Sequence, residues 1–253
     1  MKKILWLDVD DVLLDFCGDF NEWLAERIGD ELGPKLPPGF SRNYVPKKWN
    51  YECLPIGKDE VWKHMKVYID QHSGNLNVLP GAVEMLNAAR GMGWEVNLIT
   101  AHPGYLMEER IKNLKKHGLI FDHFYSCNHF NTNGTSMKIK KVDLINSLTE
   151  KNRVEIFVDD RHDTVRDYLK NSTALVKAGV SPWYPYNNDS YLTSMDEDSE
   201  ELKRGFTVTS WNENKWKTVI DMHGQVISLM ERYDGKYKRA KLIDRILRFP
   251  LFG

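Results

Sequence analysis

Two groups of acids carry the clearest chemistry in this chain. Asp8-Val9-Asp10 closes the apolar run Ile4-Leu5-Trp6-Leu7, and Asp159-Asp160-Arg161-His162-Asp163 closes Val154-Glu155-Ile156-Phe157-Val158. Carboxylates two residues apart at a strand end point in similar directions. Crowding them costs energy unless a cation or a reacting phosphate shares the site. An oxygen-only set of this kind suits Mg²⁺, which takes one or two carboxylates, keeps several waters and leaves room for a substrate phosphate. An EF-hand loop would place Gly at its sixth position and Glu at its twelfth. Counted from Asp8 those positions hold Leu13 and Asp19, so that reading fails.

Two further residue types complete the set. Thr100 follows the apolar pair Leu98-Ile99, and a hydroxyl there can hydrogen-bond a phosphoryl oxygen. The stretch Ser136-Met137-Lys138-Ile139-Lys140-Lys141 leads into a helical pattern, and a lysine there can neutralise a nucleophile and a transferring phosphoryl group. Lys138 and Lys141 both fit the core-facing side set by Val142 and Ile145. His102 lies close enough to Thr100 to line the mouth of such a site, though a surface loop suits it equally. His123, Cys127 and His129 match no common zinc spacing and show no fourth ligand. A GxxxxGK[ST] phosphate loop is absent, which excludes a P-loop kinase.

The elements that must position these residues follow from the apolar pattern. Short apolar runs closed by polar residues read as buried strands: Ile4 to Leu7, Trp94 to Ile99 and Val154 to Val158, with Phe206 to Thr209 as one more. Helical spacing precedes two of them, over Ala82 to Ala89 and Lys141 to Leu148. Strand–helix alternation predicts an α/β fold, a doubly wound and mostly parallel sheet with helices on both faces. Such sheets bind ligands beyond the carboxyl ends of their strands, where all the candidate residues fall. Between the first strand and Pro80-Gly81 the character changes. This stretch holds five of the ten prolines (Pro34, Pro37, Pro38, Pro46, Pro55), together with Trp23, Trp49, Trp62 and several Phe and Tyr residues. Asp19 to Ile28 and Lys58 to Gln71 look helical, so residues 17–79 read as a small, mainly helical inserted cap. Residues 1–16 and 80–180 form the expected core. Residues 181–253 form a C-terminal extension packed on it, with helical spacing over Lys215 to Tyr233 and a basic stretch from Lys236 to Arg248.

Composition narrows the classes. The 253 residues are 42% hydrophobic and 28% charged, which is ordinary globular usage. A net charge of -1 argues against a general polyanion binder, so nucleic acid is not the expected partner. Three scattered cysteines (Cys17, Cys53, Cys127) do not make a disulfide framework. Lys2-Lys3 and the apolar run after them resemble the start of a signal peptide, but Asp8 ends the run too early. No run approaches the roughly 20 apolar residues of a membrane span. The expectation is a soluble, cytoplasmic protein with no membrane partner; oligomeric state is not readable.

An N-terminal strand ending in Asp-x-Asp, a strand ending in Thr, a helix-borne Lys and a strand ending in acids, in that order, resemble the four motifs of the haloacid dehalogenase (HAD) superfamily. Leu7-Asp8-Val9-Asp10-Asp11-Val12-Leu13-Leu14-Asp15-Phe16, Leu79-Pro80-Gly81-Ala82-Val83-Glu84 and Val158-Asp159-Asp160-Arg161 are similar to its 5'(3')-deoxyribonucleotidase-like branch. The resemblance covers roughly residues 1–180. It implies a Mg²⁺-dependent phosphomonoester hydrolase acting on a small phosphorylated substrate, a (deoxy)nucleoside monophosphate. Asp8 would be the nucleophile and form an aspartyl-phosphate. Asp10 would protonate the leaving oxygen and then activate water. Mg²⁺ would be held by the Asp8 carboxylate, the Asp10 carbonyl and Asp159, with Asp160 beside them, while Thr100 and Lys138 or Lys141 hold the phosphoryl oxygens. Phe16 matches a base-stacking position and Trp49 could form a second wall, with Ala101 and His102 completing the substrate contacts. Three departures bear on substrate: Asp11 stands where Gly is usual, Ala101 where a second hydroxyl is common, and the helix after Thr100 begins Glu108-Glu109-Arg110 where that branch tends to supply its lysine, which favours Lys138 or Lys141 as in related phosphatases. A phosphatase of nucleic-acid ends or of another small ester, and a catalytically silent binding protein of the same fold, are the competing readings.

Overall fold

A computed structural model describes residues 1–28, 58–127, 139–181, 205–207 and 226–235. Its strands are β1 (Lys2–Leu7), β2 (Glu95–Thr100), β3 (His123–Ser126), β4 (Arg153–Val158), β5 (Val176–Ser181) and β6 (Gly205–Thr207). Its helices are α1 (Phe16–Ile28), α2 (Lys58–His72), α3 (Ala82–Gly91), α4 (Met107–Lys116), α5 (Lys141–Leu148) and α6 (His162–Asn171), and residues 226–235 form a further helix. All the strand pairings are parallel, in the order β3-β2-β1-β4-β5-β6. The chain builds outward from β1 to one side and then returns to build outward on the other. β1 is therefore the topological switch point, where a doubly wound sheet opens a crevice for ligands.

Residue parity decides which face each side chain meets. Leu5, Leu7, Val96, Leu98, Val154, Ile156 and Val158 pack with α1, α2 and α3 in one cluster. Ile4, Trp6, Ile99 and Phe157 pack with Val142 and Ile145 of α5 and Val165, Tyr168 and Leu169 of α6 in the other. Burial on both faces explains why these strands read as continuous apolar runs rather than alternating ones. Asp8 continues the parity of Ile4 and Trp6, and Asp159 continues that of Glu155 and Phe157. Both acids therefore face α5.

Three strands and one helix differ from the sequence reading for local reasons. β3 is a four-residue edge strand, His-Phe-Tyr-Ser, too short to show a period. β5 contains Ala178 and Gly179, which carry little strand propensity. A Cβ at Gly179 would lie 2.5 Å from Val165 Cγ1, so glycine is what lets α6 approach the sheet closely. α6 has only a narrow apolar stripe, Val165, Tyr168 and Leu169, in a polar sequence. β6 covers Gly205–Thr207, slightly ahead of the expected Phe206 to Thr209.

α1, which begins at Phe16, and α2 are the described helices of the 17–79 insert. They meet through an aromatic cluster of Phe16, Phe20, Trp23 and Tyr68, with ring centroids 5.3–6.2 Å apart, and this cluster is continuous with the core beneath the sheet. In the C-terminal extension, Val226, Leu229, Met230 and Tyr233 are buried in the same core, and Lys3 Nζ donates to Asp234 Oδ1 at 2.8 Å. Trp49, Lys138, Cys53, His129 and the basic stretch from Lys236 lie outside the described residues. Among the described residues, no helix is long and apolar enough to cross a membrane.

Candidate active site

The sheet register brings the acids together. Leu7 pairs with both Leu98 and Val158, so the next residue of each strand, Asp8 and Asp159, ends the two central ladders side by side. The Asp8 N–H donates to Val158 O at 2.8 Å and the Asp159 N–H to Val180 O at 3.1 Å, which carries the ladder one residue beyond the strands. Lys141, the first residue of α5, then reaches both. Its Nζ lies 2.8 Å from Asp8 Oδ2 and 2.7 Å from Asp159 Oδ2. The other oxygens are fixed by backbone: Val9 N–H donates to Asp8 Oδ1 at 2.8 Å, and Arg161 N–H to Asp159 Oδ1 at 2.9 Å.

Carboxylate oxygens of Asp8, Asp159 and Asp160 lie within 4.8 Å of one another. Burial pushes all three acids upward from the usual carboxylate range. Lys141 opposes this at Asp8 and Asp159, leaving Asp159 at about 6, while Asp159 and Asp8 push Asp160 further up. The same two carboxylates hold the Lys141 ammonium firmly charged against its own burial. Three buried carboxyl groups thus crowd around one ammonium, and their ligand atoms are all hard oxygens. That donor set fits Mg²⁺. Asp163, expected as part of this corner, instead forms an exposed ion pair with Arg161, whose Nη2 lies 2.5 Å from its Oδ2.

Asp10 stands on the turn after β1, its side chain about a quarter exposed, with Arg110 Nη2 at 3.1 Å from Oδ1. Asp11 has φ +58°, in the left-handed region that accounts for the usual glycine, and Asp is among the residues that tolerate it. Its carboxylate is buried and accepts the Cys17 N–H at 2.9 Å, so the extra acid braces the entry into α1.

Thr100 is buried at the end of β2, and its Oγ1 accepts the His102 N–H at 3.1 Å. This bond leaves the hydroxyl proton to donate elsewhere. His102 is not at an open mouth: it is 3% exposed, its carbonyl accepts Ser126 Oγ at 2.5 Å, and its Nδ1 lies 3.1 Å from Arg110 Nη2. Burial, then the Arg110 charge, push its pKa down to about 2, so the ring is neutral. Ala101 beside it is partly exposed. Phe16 is also mostly covered, at 8% exposure, because its ring stacks on Phe20 and meets the edge of Tyr68. Arg110 was missed by the motif reading. The signal available in sequence was its place with Asn113 and Leu114 on one face of an otherwise highly charged helix.

A family model described as NLI interacting factor-like phosphatase matches residues 47–209. That stretch contains Thr100, Lys141, Asp159 and Asp160, while Asp8 and Asp10 precede it. A search of curated proteins finds no match. Among solved structures, the fold is similar to a predicted phosphatase from Clostridium acetobutylicum, at 13% identity, TM-score 0.52, and coverage of 90% of this chain and 99% of that one. A dehalogenase aligns at 14% identity and TM-score 0.47, over 83% of this chain and 93% of that one. The fold likeness rests on the first of these. With the family match spanning more than half of its length, this chain belongs to the NLI interacting factor-like phosphatase family, a HAD-like family, and is a phosphatase.

Proposed function

We propose that the chain hydrolyses phosphomonoesters in a Mg²⁺-dependent reaction through an aspartyl-phosphate on Asp8, and that its substrates are (deoxy)nucleoside monophosphates. The observation that carries the mechanism is the pair of buried carboxylates, Asp8 and Asp159, sharing one ammonium at the switch point of the sheet. Mg²⁺ would sit on the carboxylates of Asp8, Asp159 and Asp160 and the carbonyl of Asp10, where it supplies charge that clamps the phosphate and eases the approach of one anion to another.

The chain's own groups do the rest. Val9 N–H and Lys141 hold the Asp8 carboxylate in one orientation, which prepays the entropy of attack. An Asp8 oxygen bonds to phosphorus as the bond to the ester oxygen breaks, and Asp10 gives that leaving oxygen its proton. Water then attacks the phosphorus of the aspartyl-phosphate while Asp10 takes a proton back, freeing phosphate and restoring Asp8. Thr100 Oγ donates its proton to a phosphoryl oxygen, and Lys141 balances charge throughout. Lys141 is the lysine we assign to this role; Lys138 lies outside the described residues. We read residues 17–79 as the cap. Its aromatic cluster, including Phe16, would form the apolar side of the substrate space, with Trp49 as a candidate second wall and Ala101 at the rim. Base stacking on Phe16 requires its ring to leave Phe20 or Tyr68.

Phosphate release from a panel of nucleoside monophosphates, sugar phosphates and phosphorylated DNA ends, with Mg²⁺ and with a chelator, tests this reading. Turnover of nucleoside monophosphates that the chelator abolishes is expected. Turnover confined to sugar phosphates or to nucleic-acid ends would overturn the substrate assignment. Turnover indifferent to the chelator would overturn the metal. No turnover in a folded protein would favour a silent binding protein.

A further inference from the structure

Among the described residues two arginines are fully buried, and they are built differently. Arg153 lies against Glu155, with Nε at 2.6 Å from Oε1, and its remaining donors reach the Glu150 carbonyl, Thr173 Oγ1 and Asn146 Oδ1. It is a saturated structural ion pair. Arg110 is equally buried, at 0% exposure, yet among the described residues only its Nη2 is engaged, 3.1 Å from Asp10 Oδ1 and 3.1 Å from His102 Nδ1. Among the described residues its Nε and Nη1 have no hydrogen-bond partner, nor does His102 Nε2. Burying a cation with donors unspent is costly. A core position would ordinarily be filled by an apolar side chain instead. Among the described residues, the carboxylate this costly cation pairs with is Asp10.

The surroundings fix the guanidinium with respect to the phosphate site. Arg110, Asn113 and Leu114 form the buried face of α4. Asn113 Nδ2 and the His117 ring both reach the Leu76 carbonyl, at 3.1 and 2.9 Å, which pins that face. His102 is held at both backbone ends, by Thr100 Oγ1 on its N–H and Ser126 Oγ on its carbonyl. Arginine can only donate, so His102 Nδ1 must be the acceptor, and the neutral ring carries its proton on Nε2. A continuous chain therefore runs from Thr100 through His102 and Arg110 to Asp10. The last contact is an ion pair without hydrogen-bond alignment, and catalytic contacts often tighten only when substrate is bound.

We propose that Arg110 is a positioning residue for Asp10: braced by His102, its guanidinium holds the Asp10 carboxylate in the place from which it exchanges protons with the leaving group and with water. This rests on Asp10 being the acid–base group of the proposed reaction. The role is indirect, since Asp10 makes the proton transfers.

The test uses the full chain with Mg²⁺ and 4-nitrophenyl phosphate, a substrate whose leaving group needs no acid. Rapid mixing separates the formation of aspartyl-phosphate from its hydrolysis. In Arg110→Met the first step should survive, giving a burst of about one nitrophenolate per chain, and hydrolysis should then stall. We expect kcat to fall by about 100-fold, the scale of lost acid–base catalysis, and KM to fall with it, so that kcat/KM, which reports the surviving first step, moves by less than about threefold. Arg110→Lys, which restores a cation, should recover at least about tenfold of that loss. Should Arg110→Met fail to fold, Arg110→Gln keeps a donor for His102 without the charge for Asp10, and the same burst and kcat fall are expected of it. A kcat within about threefold of wild type, a loss carried by KM, or a missing burst in the folded variant would each overturn the inference. A wild type that turns over no ester at all would remove the parent reading and this one with it, which is a different result from a normal wild type beside a normal variant.

Discussion

Glu155 and Asp159 stand on the same face of the same strand and its end, four residues apart, and neither is exposed. At about 3.3 Å per residue they are roughly 13 Å from each other. Their surroundings are opposite in character. Glu155 accepts from Trp6 Nε1, Arg153 Nε, Tyr168 OH and Ser172 Oγ, at 2.9, 2.6, 2.8 and 3.2 Å, and one arginine balances its charge. Asp159 shares a single lysine with Asp8, has Asp160 within metal-ligand distance, and is pushed up to about 6, first by burial. At the strand ends, Lys141 pairs with Asp8 and Asp159 and Arg110 with Asp10, while the Arg161 charge lies near Asp159 and Asp160. Saturated buried charge holds a fold together; acids crowded around too few cations suit a ligand, in the proposed reaction a cation and a phosphate. The same contrast separates Arg153 from Arg110.

The largest effect that could break this comparison is on turnover. Asp8→Asn should lower phosphate release by on the order of 10⁴-fold or more, the scale seen when a nucleophile is removed, without lowering the thermal midpoint. A midpoint that drops steeply would mean that Asp8 is structural like Glu155. Next comes the reverse signature. Glu155→Gln strands Arg153 and should cost about 3–5 kcal/mol in urea unfolding, with kcat of the folded fraction unchanged. A cost below about 1 kcal/mol would show that the saturated pair is not what stabilises this half of the sheet.

Cation binding sharpens the contrast further. Mg²⁺ at about 100 times its dissociation constant should add about 2.7 kcal/mol to wild-type stability. The gain should vanish in Asp159→Asn and persist in Glu155→Gln, as read by thermal unfolding with and without chelator. The smallest effect concerns an ordinary carboxylate at the opposite end of the sheet. Asp122 accepts the Val96 N–H and pairs with Arg90, both at 2.8 Å, and these contacts outweigh its partial burial and lower its pKa. A depressed carboxylate contributes stability above its unfolded value and loses it as pH falls through its folded one. Asp122→Asn should therefore lower the thermal midpoint slightly at neutral pH and leave it almost untouched near pH 2, which narrows the acid loss between about pH 5 and about pH 2.

These contrasts also show what was legible in the sequence. Asp8, Thr100 and Asp159 stood out because each follows an apolar run, and a buried parallel strand writes itself as such a run. The choice between Lys138 and Lys141 was not legible, since both suit the same helix face; contact with Asp8 and Asp159 singles out Lys141 among the described residues. Strand β5 was hidden because its sequence serves helix packing through Gly179 rather than strand propensity. The pairing of Arg110 with Asp10 spans a hundred residues and depends on how α4 docks, which no local pattern encodes. Phe16 shows the converse: its motif position was visible, but its burial against Phe20 and Tyr68 follows only from how α1 meets α2.

The central claim is that the crowding of buried acids at the strand ends serves a covalent step at Asp8. Acid quenching of the enzyme during turnover of a phosphomonoester with Mg²⁺, followed by mass spectrometry of its peptides, reads that step directly. One phosphoryl group on the peptide carrying Asp8, absent from Asp8→Asn, is the predicted result. Sustained turnover with no phosphoryl group on that peptide, or turnover that survives Asp8→Asn, would contradict it.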